Sequence, residues 1–196
     1  MRYADFAGIM AAARMERYRT ACNGNPQKAM TLYRKNLKLS QELFTVISCF
    51  EIALRNSIDT YYTNTLGNHW LQNAAVSGGV FDNRHCRLTQ INIHDAIRKL
   101  NFAYTHYKLV AELGFGFWRY LFAHQQFRAC GSTLLRILPG KPRTTPAIQY
   151  NHTLVFNRLR SINNLRNRIA HHEPICFLSG QPVKDTTYAR RHYNLI

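Results

Sequence analysis

PQKAMTLYRKNLKLSQELFTVISCFEIALRNSIDTYYTNTL, residues 26–66, decides the fold class. After Pro26 it contains no glycine and no proline. Leu32, Leu39, Leu43, Phe44, Val46, Ile47, Phe50, Ile52, Leu54 and Ile58 recur at three- and four-residue steps, the spacing of a helix face. The stretch reads as one very long helix, or two joined near Ser40. Between Leu43 and Leu54 it is apolar on most faces, which predicts a central position in a bundle. Glu51, Arg55 and Asn56 interrupt that run and need polar partners. Glu51 is expected to be buried and ionised, held by Arg55 one turn on or by Arg166.

Working outward, the rest is also helical in pattern, and no strand alternation persists. Residues 2–21 read as an N-terminal helix stopped by Asn23-Gly24-Asn25-Pro26. Residues 67–84 read as a loop pinned by Trp70 and Leu71. Helices are expected over 85–100, 104–113 and 117–138, the last with a break near Gly131. Thr145-Pro146 resembles an N-cap followed by proline at the first helical position, so the last long helix is placed from Pro146 to about His171, stopped by Pro174. The tail from Phe177 reads as loop with one short helix. The expectation is an all-α chain: one domain over 1–176, with 1–25 an N-terminal helix and 26–176 the core, followed by a tail over 177–196.

The chain has 196 residues, 46% of them hydrophobic, enough to bury about 70% of its unfolded surface. Charged residues at 18% and aromatics at 12% exclude a mainly disordered chain. No apolar run reaches the length of a membrane span, and Met1–Asp5 leads into no secretory signal, so a cytoplasmic protein is expected. Five scattered cysteines without a C-x-x-C pair read as reduced thiols, mostly small buried hydrophobes.

Charge is the strongest compositional signal. Lys and Arg number 26 against 10 Asp and Glu, a net charge of +16. Such a balance points to a polyanion, nucleic acid before membrane, because the basic residues sit within core-patterned helices rather than on an amphipathic surface stretch. No acid occurs between Glu112 and Glu173, and that interval carries Arg119, Arg128, Arg136, Lys141, Arg143, Arg158, Arg160, Arg166 and Arg168. The alternative is a solvated basic face, which usually carries compensating glutamates.

The end of the last long helix holds the most informative string, LRNRIAHHEP at 165–174. A histidine at a helix C-terminus is favoured as the cation by the macrodipole, while a neighbouring arginine opposes it. An imidazole so placed suits general acid–base work. Arg166 offers a permanent charge and a planar fork for phosphate, and Asn167 can orient either group. The competing reading is purely structural: a capping histidine, an arginine paired with Glu173 and an asparagine closing the helix. Arg166 and His171 lie five residues apart, about 140° around a regular helix. One chain cannot aim both at one atom unless the helix end unwinds; a second copy across a two-fold axis can.

Other templates fail. No G-x-S-x-G, H-E-x-x-H or P-loop is present. His171-His172-Glu173 is poorly spaced for one metal, and the acids are too scattered for two-metal chemistry. Cleavage of a nucleic acid by this chain would use no metal, which points to RNA, whose 2′-OH is an internal nucleophile.

Arg166-Asn167-x-x-x-His171 resembles the R-x(4–6)-H motif of HEPN domains, and LRNRIAHHEPI resembles the Abi-like (abortive-infection) family among them. Phe50-Glu51-Ile52-Ala53-Leu54-Arg55-Asn56, followed by Gly67 and Trp70, is similar to that family's E-x-x-x-R-N helix. Glu112-Leu113-Gly114-Phe115-Gly116-Phe117-Trp118 is similar to its E-L-x-F-G-x-W segment, read here as a buried helix join rather than a base-stacking surface. The resemblance covers roughly 27–176. It implies an all-α HEPN-like bundle, a homodimer with facing motifs, and metal-independent endoribonuclease activity in a toxin or phage-defence effector. It also implies an RNA substrate, a possible protein or RNA antitoxin, and no cofactor. Arg166, Asn167 and His171 are then catalytic, and Glu51, Arg55 and His172 supporting. The tyrosine that some HEPN toxins carry two positions after the motif histidine is Glu173 here, so modification at that position is not implied. A non-catalytic RNA-binding or protein-interaction bundle is the alternative; a DNA-binding regulator lacks a helix-turn-helix pattern.

Overall fold

A computed structural model describes residues 2–138, 140 and 143–196. The described residues form an all-α chain of ten α-helices and two short 3-10 turns. None of these helices is long and apolar enough to cross a membrane. In chain order they are α1 (Tyr3–Met10), α2 (Ala12–Thr20), α3 (Pro26–Leu66), α4 (Trp70–Ala75), α5 (Arg87–Leu100), α6 (His106–Glu112), α7 (Phe115–Tyr120), α8 (His124–Ala129), α9 (His152–Ala170) and α10 (Thr187–Tyr193). They make two compact units, 1–49 with 164–196, and 50–163.

The long apolar stretch is a single helix of 41 residues, unbroken at Ser40. It is not buried all round. Ala29, Tyr33, Leu43, Ile47, Leu54, Ile58 and Tyr62 form one buried stripe, whereas Leu37, Phe44 and Ile52 are exposed. Glu51 is half-buried rather than buried, and among the described residues it forms no ion pair with Arg55. The expectation of a buried, Arg55-paired Glu51 is therefore corrected: the helix offers Glu51 a partly wet face, where a carboxylate stays solvated. Glu51→Ala should accordingly shift stability by no more than about 0.5 kcal/mol, read from a denaturant midpoint.

Four other segments differ from the sequence reading. The N-terminal helix is broken at Ala11, whose φ of 69° lies outside the right-handed region. The 67–84 segment contains α4, with Trp70 and Leu71 fully buried as anchors. The last long helix begins at His152, not Pro146, because Asn151 supplies the cap: its Oδ1 accepts from the Leu154 N–H at 3.0 Å. The 117–138 stretch is divided among the end of α7, α8 and a 3-10 turn at Leu134–Ile137.

The first unit is centred on Phe6, Met15, Tyr18, Ala29, Tyr33 and Phe177. The segment after the last long helix is part of this core: Phe177 packs edge-on against Tyr18 at 5.0 Å. Asn36, buried on α3, accepts from the Ile175 N–H at 3.0 Å. Arg17 donates to the Leu178 and Gln181 carbonyls and lies over the Phe177 ring. In the second unit, Phe115, Phe117 and Trp118 are buried, and the Trp118 Nε1–H donates to the Leu113 carbonyl at 2.8 Å. The aromatic-glycine segment is thus core.

Four of the five cysteines are buried and Cys49 is exposed. Burial pushes the Cys130 thiol up to about 12 and the Cys176 thiol up to about 11. Only the thiolate is reactive. One thiol of five should therefore react rapidly with a disulfide reagent in the native protein, and all five after unfolding; a second fast thiol would contradict this packing.

Candidate functional site

The Arg166–His171 segment lies in the first unit, on the last turn of α9 and the residue after it. Leu165 and Ile169 are buried and orient the turn. Asn167 and His171 are exposed, Arg166 half-buried.

The helix stays regular up to His171, whose N–H donates to the Asn167 carbonyl at 2.9 Å. The chain turns only at His172, at φ 54°. There the His172 N–H donates to the Ile169 carbonyl at 2.9 Å and the Glu173 N–H to the Arg168 carbonyl at 2.8 Å. This is a Schellman closure with His172 at the left-handed position that usually holds glycine. Because unwinding starts after His171, the divergence of about 140° between Arg166 and His171 persists.

The structural duties at this helix end belong to Arg168, not Arg166. Arg168 Nε pairs with Glu173 at 3.1 Å, its Nη2 donates to the Pro174 carbonyl at 2.8 Å, and its guanidinium lies 4.6 Å from the centre of the Tyr188 ring. Arg14 of α2 secures the turn by donating to the His172 carbonyl at 2.6 Å. Arg166 Nε is buried without a hydrogen-bond partner among the described residues. Arg55 Nε, in the second unit, is in the same condition. A buried unpaired donor costs about 1–3 kcal/mol, more when charged.

Not all of the basic stretch is exposed. Arg119 is buried, its guanidinium 4.7 Å from the Tyr120 ring centre and 4.8 Å from that of Phe156. That position removes it from the exposed set, and Arg168 is committed as described. Arg128, Arg136, Arg143, Arg158 and Arg160 are exposed, all in the second unit. Lys141 lies outside the described residues. The sequence reading missed a cationic group in the first unit. Lys28 and Lys35 of α3 and Lys184 line one cleft of about 370 Å³. Its signal was present as a seven-residue spacing on one helix face, but Lys184 is distant in sequence.

Beside the α9 terminus, Leu37, Gln41 and Phe44 of α3 form a groove of about 330 Å³ with Ala170 and His172. Leu37 and Phe44, seven residues apart, present apolar side chains to solvent there. Among the described residues, no three His, Cys, Asp or Glu side chains converge closely enough to hold a metal ion.

A family model described as Abi-like protein matches residues 2–176. No curated protein and no solved structure matches the chain.

Proposed function

The chain belongs to the Abi-like protein family, and on that premise we propose that it is a metal-independent endoribonuclease of the HEPN type, acting on RNA as a defence effector. The family is implicated in abortive infection, which is compatible with a defence role. The observation that carries the reading is the division of labour at the end of α9. Arg168 pairs with Glu173 and closes the helix end, while among the described residues the buried Arg166 Nε is left without a hydrogen-bond partner.

His171 takes the proton from the 2′-OH or gives one to the 5′-oxygen leaving group. Arg166 stabilises charge on the phosphorane oxygens, and Asn167 orients the phosphate. The 2′-oxygen attacks phosphorus, the P–O5′ bond breaks, and a 2′,3′-cyclic phosphate remains on the 5′ fragment.

The α9 end stays helical through His171, so one chain cannot aim both groups at one phosphate. A second copy across a two-fold axis supplies the other set, and the exposed Leu37 and Phe44 beside this end are the apolar surface it would cover. The exposed arginines of the second unit supply positive charge for an RNA backbone.

Incubating the protein with structured and single-stranded RNA in EDTA tests the reading. Cleavage that persists in EDTA and is lost in His171→Ala is the expected result. Binding of RNA without cleavage would favour the alternative, a non-catalytic RNA-binding or protein-interaction module.

A further inference from the structure

The lysine cleft of the first unit is built from two distant segments. Lys28 and Lys35 stand two turns apart on one face of α3, Lys184 comes from the segment before α10, and Gln27, Thr31 and the buried Cys22 complete the lining. Its volume of about 370 Å³ falls in the range of small-ligand sites. Lys184 is placed by the core. It bridges antiparallel to Phe177, which packs on Tyr18, and the Leu178 N–H donates to the Val183 carbonyl at 2.9 Å beside that bridge.

The chain supplies no counter-charge here. No acid lines the cleft, and among the described residues none of the three lysines forms an ion pair. The acids of this unit are Asp5, Glu16, Glu42, Glu173 and Asp185. Asp5, Glu16 and Glu173 pair with Arg2, Arg19 and Arg168. Asp185, the neighbour of Lys184, accepts from the Thr187 N–H at the start of α10 at 2.6 Å. Glu42 lines a separate groove with Leu39 and Arg190. Three ammonium groups around one cleft repel one another, and a bound anion relieves that repulsion.

The residue type narrows the anion. The chain has 19 arginines and 7 lysines, yet no arginine lines this cleft. A guanidinium fork suits bidentate pairing, whereas an ammonium is a compact point charge that donates to single oxygens. Three such donors match a phosphomonoester, with close to two charges and three terminal oxygens, better than a singly charged backbone diester. The cleft also lies apart from the α9 end: Leu37, in the groove beside α9, follows Lys28 by nine residues, about 180° around α3.

We infer that this cleft binds a phosphomonoester group, carried either by a free nucleotide or by the 5′ end of an RNA strand. Lys28, Lys35 and Lys184 hold its terminal oxygens, and the Gln27 amide donates beside them. The inference is independent of the ribonuclease reading, because holding a phosphate requires no cleavage.

Equilibrium dialysis of the full chain with uridine and with uridine 5′-monophosphate tests it. The nucleotide should bind with a Kd below about 1 mM, at least about tenfold tighter than the nucleoside. Lys28→Gln with Lys35→Gln, both exposed and unpaired positions, should abolish that difference and leave the thermal transition in place. Arg84→Gln with Lys108→Gln, which removes the same charge from exposed positions outside the cleft, should preserve it. A short 2′-O-methyl RNA, which cannot be cut by its own 2′-oxygen, identifies the source. Displacement of the nucleotide by the 5′-phosphorylated strand and not by its 5′-hydroxyl counterpart marks the strand end; displacement by neither marks the free nucleotide. Equal displacement by both strands, equal binding of nucleoside and nucleotide, no nucleotide binding at about 5 mM, or a preference that survives Lys28→Gln with Lys35→Gln overturns the inference.

Discussion

Replacing His171 by alanine should remove roughly 10²–10⁴-fold of the RNA-cleavage rate, the usual contribution of a positioned acid or base. Folding should be unaffected, because the side chain is exposed and the closing hydrogen bonds of the turn are made by backbone groups at His171, His172 and Glu173. The companion substitution is Arg166→Lys. It keeps the charge but exchanges a planar fork for a point charge, so cleavage should fall with it. Single-turnover rates on one RNA, with matched circular-dichroism melts, separate chemistry from folding. Full activity in His171→Ala would remove the catalytic role and leave an RNA-binding module.

The largest stability effect is expected at Trp118. The ring is fully buried, stands 5.2 Å from Phe117 and 6.5 Å from Trp70, and donates to the Leu113 carbonyl at the join between α6 and α7. Trp118→Ala should cost about 3–5 kcal/mol through the cavity it leaves. The stranded carbonyl adds about 1–3 kcal/mol wherever water cannot reach it. Trp118→Phe should lose less, since most of the apolar volume remains. Urea unfolding monitored by a probe within 50–163 reads the change; a loss under about 1 kcal/mol in Trp118→Ala would mean the segment is not packed as described.

The helical class was legible because α3 runs 41 residues without an internal glycine or proline. Its apolar pattern was read too generously: Phe44 and Ile52 belong to the helical repeat, yet both are exposed while Ile47 and Leu54 are buried. The break at Ala11 has no local signal, since alanine favours helix. Helix α4 is six residues long, too short to show a period. The start of α9 was misplaced because Thr145 and Asn151 are both capping residue types and both accept an N–H three residues on, from Ile148 at 3.1 Å and from Leu154 at 3.0 Å; the helix continues only after Asn151.

At the site, the string from Arg166 to His171 could be found from sequence because its elements are contiguous. Which arginine serves the helix end could not. The Arg168–Glu173 pair spans five residues, a separation that becomes close only after the chain turns back at His172.

The most direct measurement is cleavage, in EDTA, of an RNA oligonucleotide and of its counterpart carrying a single 2′-deoxy residue at the scissile position. The account predicts that the all-ribose strand is cut and yields a 2′,3′-cyclic phosphate or its hydrolysis product on the 5′ fragment, while the deoxy strand binds and remains intact. Cutting of the deoxy strand, or activity that appears only when Mg²⁺ is supplied, would contradict it.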